Sequence, residues 1–219
     1  MTERDPDADA RRLANESLAA DDPTGWFELL YAEAAGGDAI VPWDSGKPHP
    51  LLIEWAAGAA VPPPGRRAIV VGCGLGDDAE FVASLGYATT AFDVAESAIT
   101  GARARFPVSS VDYRAADLFA LPGDWRRSFD LVVEIMTVQA LPEALHPEAT
   151  AAVRDLVAPE GTLLVIASAR EEGGEVYAPP WPLTPGEIEA FATGGLVTVR
   201  IDDLEGVNRR WRAQFQRAR

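Results

Sequence analysis

The feature that most constrains this chain is Ala68-Ile69-Val70-Val71, an unbroken apolar run that enters Gly72-Cys73-Gly74-Leu75-Gly76. A strand with one wet face alternates apolar and polar residues, whereas a continuous run suits a strand buried on both faces, in the middle of a parallel sheet. The glycines end that strand, and a helical pattern begins at once over 77–85. The alternation then repeats: strand 88–92, helix 95–106, short strand 111–114, strand 129–134, helix 147–156 and strand 162–167. Parallel neighbours need such helical crossovers, so the pattern predicts a doubly wound α/β sheet with helices on both faces.

The end of the chain breaks the alternation. Thr184 and Glu187 have the spacing of a capping box, with Pro185 at the first helical position, so a helix is expected to about Ala192. Segments 197–201 and 209–215 then read as strands, and in the second Trp211, Ala213 and Phe215 alternate with Arg210, Arg212 and Gln214. A terminal hairpin of this kind places one antiparallel strand at or near a sheet edge and brings the expected total to seven strands. Upstream, residues 2–20 are rich in Asp, Arg and Ala with few large apolar side chains, so 1–22 are read as a flexible leader, a frayed or weakly docked helix. Phe27, Leu30 and Tyr31 fall at helical spacing, 41–50 are held irregular by prolines, and a helix is expected over 50–57. Residues 23–60 thus form a short helical cap on a core of 66–219, in one domain of a 219-residue chain.

Charge narrows the partners. With 19 Lys+Arg against 34 Asp+Glu the net charge is −15, a field that repels phosphate backbones and anionic membranes. The basic tail over 209–219 is better explained as a solvated strand face than as an RNA contact. One cysteine, Cys73, allows no internal disulfide, and the acidic N-terminus lacks the basic then apolar run of a signal peptide. No stretch approaches the ~20 apolar residues of a membrane span. Two histidines without a cysteine partner leave no zinc set. A cytoplasmic protein, monomeric or weakly dimeric, without metal, nucleic acid or membrane partners, is the expectation.

The glycine-rich turn lets a ligand approach the backbone at a helix N-terminus, although such a turn can also serve packing alone. In a dinucleotide fingerprint the third small residue would fall on Asp77, and an aspartate there opposes a pyrophosphate. A cationic ligand without phosphate tolerates Asp77 and Asp78. Asp93 closes the second strand beside the glycine loop, where one carboxylate suits the two hydroxyls of a ribose; its other reading is a helix N-cap. Asp117, after the third strand, can accept from the exocyclic amine of adenine while Leu118 packs on the ring; its other reading is a plain turn aspartate.

These stations, in this order, resemble the class I S-adenosylmethionine-dependent methyltransferases from about Ala68 onward. That likeness implies a Rossmann-like seven-stranded sheet with an antiparallel last strand, S-adenosylmethionine as cofactor and S-adenosylhomocysteine as product. It implies cofactor contacts from Gly72, Cys73, Gly74, Gly76, Asp78, Asp93, Val94, Asp117 and Leu118. The family's usual acidic residue two places before the first loop glycine is Val70 here. Val41-Pro42-Trp43-Asp44 together with Val71-Gly72-Cys73-Gly74-Leu75-Gly76-Asp77-Asp78-Ala79 is similar to the thiopurine and small-thiol methyltransferase group, which also lacks that acid. By that likeness Trp43 packs on the methionine portion of the cofactor; otherwise it anchors a loop to the core.

Glu134-Ile135-Met136-Thr137-Val138-Gln139 stands where the family sets the methyl acceptor, and no Asn-Pro-Pro-Tyr motif for amide or base amines is present. Met136 and Gln139, with Trp26, Tyr31, Trp43 and Trp181, are the expected substrate pocket. Tyr177-Ala178-Pro179-Pro180-Trp181-Pro182 is read as a stiff lid or as edge packing. Glu134 is a candidate for the cofactor's ammonium or for a base, against a merely strand-ending glutamate. His146 is the other candidate base, although its place before Pro147 also suits a helix start. Methyl transfer is an in-line displacement that needs alignment and exclusion of water more than a nucleophilic residue. A thiol, with pKa ~8.5, is the acceptor least in need of a base. S-methylation is therefore the leading expectation, ahead of O- or N-methylation, a cofactor-binding scaffold without turnover and a nucleotide-dependent oxidoreductase.

Overall fold

A seven-stranded sheet organises the chain, with strand order β3-β2-β1-β4-β5-β7-β6. The computed structural model describes Asp5 and residues 7–174, 179–206 and 208–219. β1 (Arg67–Val71) lies centrally, its last four residues buried, and pairs in parallel with β2 (Ala88–Asp93) on one side and β4 (Phe129–Ile135) on the other. β3 (Asp112–Ala115) extends the sheet beyond β2, and β5 (Val157–Ser168) lies beyond β4, both parallel. β7 (Arg210–Arg217) runs antiparallel between β5 and β6 (Leu196–Leu204). The antiparallel strand is thus one place in from the edge, and β6 forms the edge itself.

The crossover helices α4 (Asp77–Ser84), α5 (Glu96–Arg105), α6 (His146–Asp155) and the short α7 (Pro185–Glu189) cover the sheet. One face buries Ile69, Val71, Phe92, Val132, Leu163 and Phe215; the other buries Ala68, Val70, Ala91, Val133, Leu164 and Ile166. Alternate residues of one strand serve opposite cores, which is why residues 68–71 of β1 and 131–133 of β4 are all apolar. The capping box at Thr184 and Glu187 is present, although α7 is shorter than the expected helix to Ala192. β5 begins earlier than residue 162 because Glu160 takes φ +61° before Gly161, and the ladder to β4 resumes after an irregularity.

Within the segment read as a flexible leader or weakly docked helix, the structure has a helix packed on the cap. Residues 7–19 form α1 (Asp7–Ala19), whose Leu13 and Ala14 are buried against Trp26, Leu30 and Tyr31 of α2 (Gly25–Gly36). Alanine at the contact positions lets the two helices approach closely, so few large side chains suffice to hold α1. Ala95 and Ala98, at the start of α5, join the same cluster, which seats the cap over the glycine turn. α3 (Pro50–Ala57) follows the proline-rich loop, its N-terminus capped by His49, whose Nδ1 accepts from the Leu51 N–H at 3.2 Å. Among the described residues no helix is long and apolar enough to cross a membrane.

Candidate active site

The sheet reverses its winding direction at β1, and the crevice left outside the carboxyl ends of the strands is where a doubly wound sheet binds ligands. Here it encloses about 810 Å³ beneath the N-terminal cap. The turn after β1 forms one wall. Gly72 has φ +60°, and a Cβ there would lie 2.4 Å from Thr137 Oγ1; Gly74 has φ +51°, and a Cβ would lie 2.7 Å from the Tyr31 hydroxyl. Backbone strain and lack of space both demand glycine, and the bare backbone faces the crevice. Gly76, at φ +94°, leads into α4, and Cys73 of the same turn is buried, which pushes its thiol well above the ordinary range.

Asp93 ends β2 at the crevice wall, buried, with Oδ2 accepting from the Gly74 N–H at 2.9 Å and Oδ1 from the Ala95 N–H at 3.0 Å. Burial pushes its carboxyl up, against those two bonds, which favour the charged form. Its N-cap reading is thereby half right: it ties down the turn before α5, although Ala95 is the cap residue itself. Val94 follows, partly exposed at the crevice, and Asp117 and Leu118 line the wall beyond β3. The Asp117 carboxylate accepts from the Phe119 N–H at 2.9 Å and remains exposed.

The roof is aromatic. Trp43 donates from Nε1 to the Tyr31 hydroxyl at 2.8 Å and meets Trp26 edge-on at 6.0 Å between centroids. Trp26, Tyr31 and Trp43 all line the crevice. The loop of Trp43 is clamped by Arg105, which donates to both oxygens of Asp44 and to Asp77 Oδ2 at 2.7–2.8 Å. The guanidinium holds the Asp44 carboxyl below the usual range. Asp78 lies deeper, accepting from the His49 N–H at 2.7 Å, and burial pushes its carboxyl up to about 6.

Met136, with φ +60°, and Gln139 line the crevice at the end of β4. Gln139 Oε1 accepts from the Ser168 N–H at 2.5 Å, so its amide braces β5 rather than standing free.

Both candidate bases are withdrawn from the crevice. Glu134 is fully buried, its Oε1 accepting from the N–H groups of Thr137 and Val138 at 2.7 and 2.9 Å, and Oε2 makes no hydrogen bond among the described residues. Burial pushes its carboxyl up to about 7. Glu134 takes no part in the crevice lining, its carboxylate folded onto the backbone of residues 137 and 138. His146 is buried with Nδ1 2.6 Å from Glu187 Oε1 and Nε2 2.9 Å from the Leu141 carbonyl, which commits both ring nitrogens to structure. Trp181 also lies outside the lining; its backbone N–H donates to the Gln139 carbonyl at 2.7 Å, while Pro179 and Pro180 reach the crevice. Tyr177 and Ala178, expected in the same lid, lie outside the described residues.

Among the lining residues that the sequence did not point to are His49 and Arg210. His49 sits between two prolines and Arg210 in an alternating strand, so neither carried a local signal. Among the described residues no group of three His, Cys, Asp or Glu side chains is arranged to hold a metal. What the crevice offers is a bare glycine backbone, a buried carboxylate beside it, an apolar and aromatic roof, and acidic rather than basic groups at the helix N-terminus. That donor set suits a nucleoside joined to a positive centre and opposes a pyrophosphate.

Fold and crevice together resemble those of the class I S-adenosylmethionine-dependent methyltransferases. Residues 68–161 match the family described as Methyltransferase domain. Among curated proteins, the chain is similar to thiocyanate methyltransferase 1 of Brassica oleracea, 28% identical over 64% of this chain and 63% of that protein. It is also similar to a ubiquinone biosynthesis O-methyltransferase of Xanthomonas campestris, 33% identical over 56% and 54% of the two chains. The chain therefore spans less than two thirds of the length of these relatives. Among solved structures, the N-methyltransferase NodS of Bradyrhizobium japonicum in complex with S-adenosylhomocysteine superposes with a TM-score of 0.64, 18% identity and 98% of both chains covered. At that identity the likeness is one of fold.

Proposed function

We propose that this chain is an S-adenosylmethionine-dependent methyltransferase acting on a small molecule, with a thiol sulfur as the acceptor atom. The observation that carries this reading is the meeting of the glycine turn and the buried Asp93 carboxylate in one crevice at the carboxyl ends of β1 and β2. Asp93 would hold the ribose hydroxyls, Asp117 the adenine amine with Leu118 against the ring, and the backbone of 72–76 the body of the cofactor. Asp78, with Trp43 above it, would take the methionine end, which supplies the carboxylate that Val70 does not. When bound, the cofactor supplies a methyl group on a sulfonium, open to in-line displacement. The chain's own residues align and shield: the Trp26, Tyr31 and Trp43 roof and the Met136 floor exclude water from the reacting line.

Sulfur is favoured because the withdrawn Glu134 and His146 leave no base from the β4 end. His49 offers no lone pair either, because its Nδ1 already accepts from Leu51, which puts the ring proton on Nε2. A thiol ionises enough by itself. The similarity to a thiocyanate methyltransferase supports the same choice. Oxygen acceptors are the second reading, favoured by Asp78, whose carboxyl near 6 is suited to proton transfer, and by the similarity to an O-methyltransferase.

Calorimetry with S-adenosylhomocysteine and with NAD tests the first step: the former should bind and the latter should not. Methyl transfer from S-adenosylmethionine to matched thiols and phenols tests the second. Turnover of phenols but not thiols would move the assignment to oxygen, and tight NAD binding would remove the methyltransferase reading.

A further inference from the structure

We infer that Arg210, with His49, forms an oxyanion subsite at the acceptor end of the crevice, so that the methyl acceptor is a thiol bearing a carboxylate. This rests on the methyltransferase reading and deepens it. The cofactor residues line the rim over β1, β2 and β3, whereas Met136, Ser168 and Arg210 continue the same rim over β4, β5 and β7. Arg210 opens β7, opposite Ser168 in the ladder, about three strand spacings or ~14 Å from β1 along the sheet.

The carboxylates of the crevice each have a partner already. Asp44 and Asp77 are held by Arg105, Asp93 by two backbone N–H groups, Asp78 by the His49 N–H, Asp117 by the Phe119 N–H, and Asp7 faces Arg11. Arg210 is different. Its one hydrogen bond is from Nη1 to the neighbouring Arg209 carbonyl at 3.1 Å, and among the described residues no carboxylate pairs with it. Arg209, beside it, is by contrast bound to Asp203 and stacked on Trp211. Half-burying a guanidinium without a counter-charge is unfavourable unless a ligand supplies one, and the planar fork matches a carboxylate in a bidentate way. His49 adds a second donor: burial, and then the nearby Arg210 charge, keep its ring neutral, with its proton on Nε2. Lys47, exposed at the mouth, contributes to the same positive end.

The test uses binding, independent of turnover. 3-Mercaptopropionate and 3-mercapto-1-propanol differ in the terminal carboxylate and little else. They are titrated by calorimetry into the full chain, wild type and Arg210→Gln, with and without S-adenosylhomocysteine. The wild type should bind the carboxylate about 10- to 100-fold more tightly than the alcohol, the range of one charge-assisted bond, and Arg210→Gln should erase the difference. Arg210→Lys, which keeps charge but loses the fork, should fall between them. Equal affinities in the wild type, or a preference that survives in Arg210→Gln, would overturn the proposal. So would a loss of S-adenosylhomocysteine affinity in Arg210→Gln as large as the loss for mercaptopropionate, because Arg210 would then serve the cofactor's own carboxylate. Failure of the wild type to bind S-adenosylhomocysteine at all would refute the methyltransferase reading instead, and the comparison without it would still judge the subsite.

Discussion

Asp93→Ala removes a brace of the glycine turn and, on the proposed function, a ribose ligand, and the two duties can be sized separately. Its carboxylate accepts buried N–H bonds from Gly74 at 2.9 Å and Ala95 at 3.0 Å. Deleting it strands both donors, at about 1–3 kcal/mol for a fully buried group, with the Gly74 N–H nearer to crevice water and therefore nearer the lower figure. A loss of about 2–3 kcal/mol in stability follows, which in a chain of this size corresponds to roughly 5–10 °C in Tm. The second duty is binding: one charge-assisted bond to a ribose hydroxyl is worth about 1.5–3 kcal/mol, or roughly 10- to 150-fold in Kd for S-adenosylhomocysteine. Urea denaturation and calorimetry on the same preparation separate the two. Asp93→Asn keeps one acceptor oxygen and should lose less on both scales. A destabilised Asp93→Ala protein that binds S-adenosylhomocysteine as tightly as the wild type would refute the ribose role and leave Asp93 a structural brace for the turn.

Glu134→Gln should flatten the pH dependence of stability. Burial raises the folded carboxyl to about 7 from the ordinary 4.5, so the folded state binds the proton more tightly than the unfolded state. The wild type is therefore relatively most stable below about pH 4.5 and loses about 3 kcal/mol as pH rises through 7; denaturation at pH 5 and pH 8 should show the variant gaining on the wild type only at the higher pH. Arg105→Gln frees Asp44 and Asp77 and should lower stability by about 1 kcal/mol, while acrylamide quenching of tryptophan fluorescence increases as the Trp43 loop loosens. Gly72→Ala sets a Cβ 2.4 Å from Thr137 Oγ1 at φ +60° and should destabilise by about 2 kcal/mol or more, read as a lowered Tm.

Sequence alone determined the architecture, because its evidence is local. The apolar run before Gly72, the glycine turn and the repeating helix signals each report on a few consecutive residues, and together they call for a parallel sheet with helical crossovers, while the strand order is decided in three dimensions. Asp93, Asp117 and the glycines were legible for the same reason: a strand's carboxyl end is a fixed place on the rim. The docking of α1 was not, since small alanines gain their burial from the shape of α2 rather than from their own hydrophobicity. Direction and long-range company were decided only by tertiary structure. Glu134 and His146 have the chemistry of a base, yet both are buried, Glu134 held by the N–H groups of Thr137 and Val138 and His146 by Glu187 and the Leu141 carbonyl. Conversely His49 and Arg210, far apart in the chain and ordinary in their segments, reach one crevice because β7 inserts beside β5 while the proline loop crosses above α4. A side chain's type is written in the sequence; what it faces depends on which strands pair, and that is settled by the burial of the whole sheet.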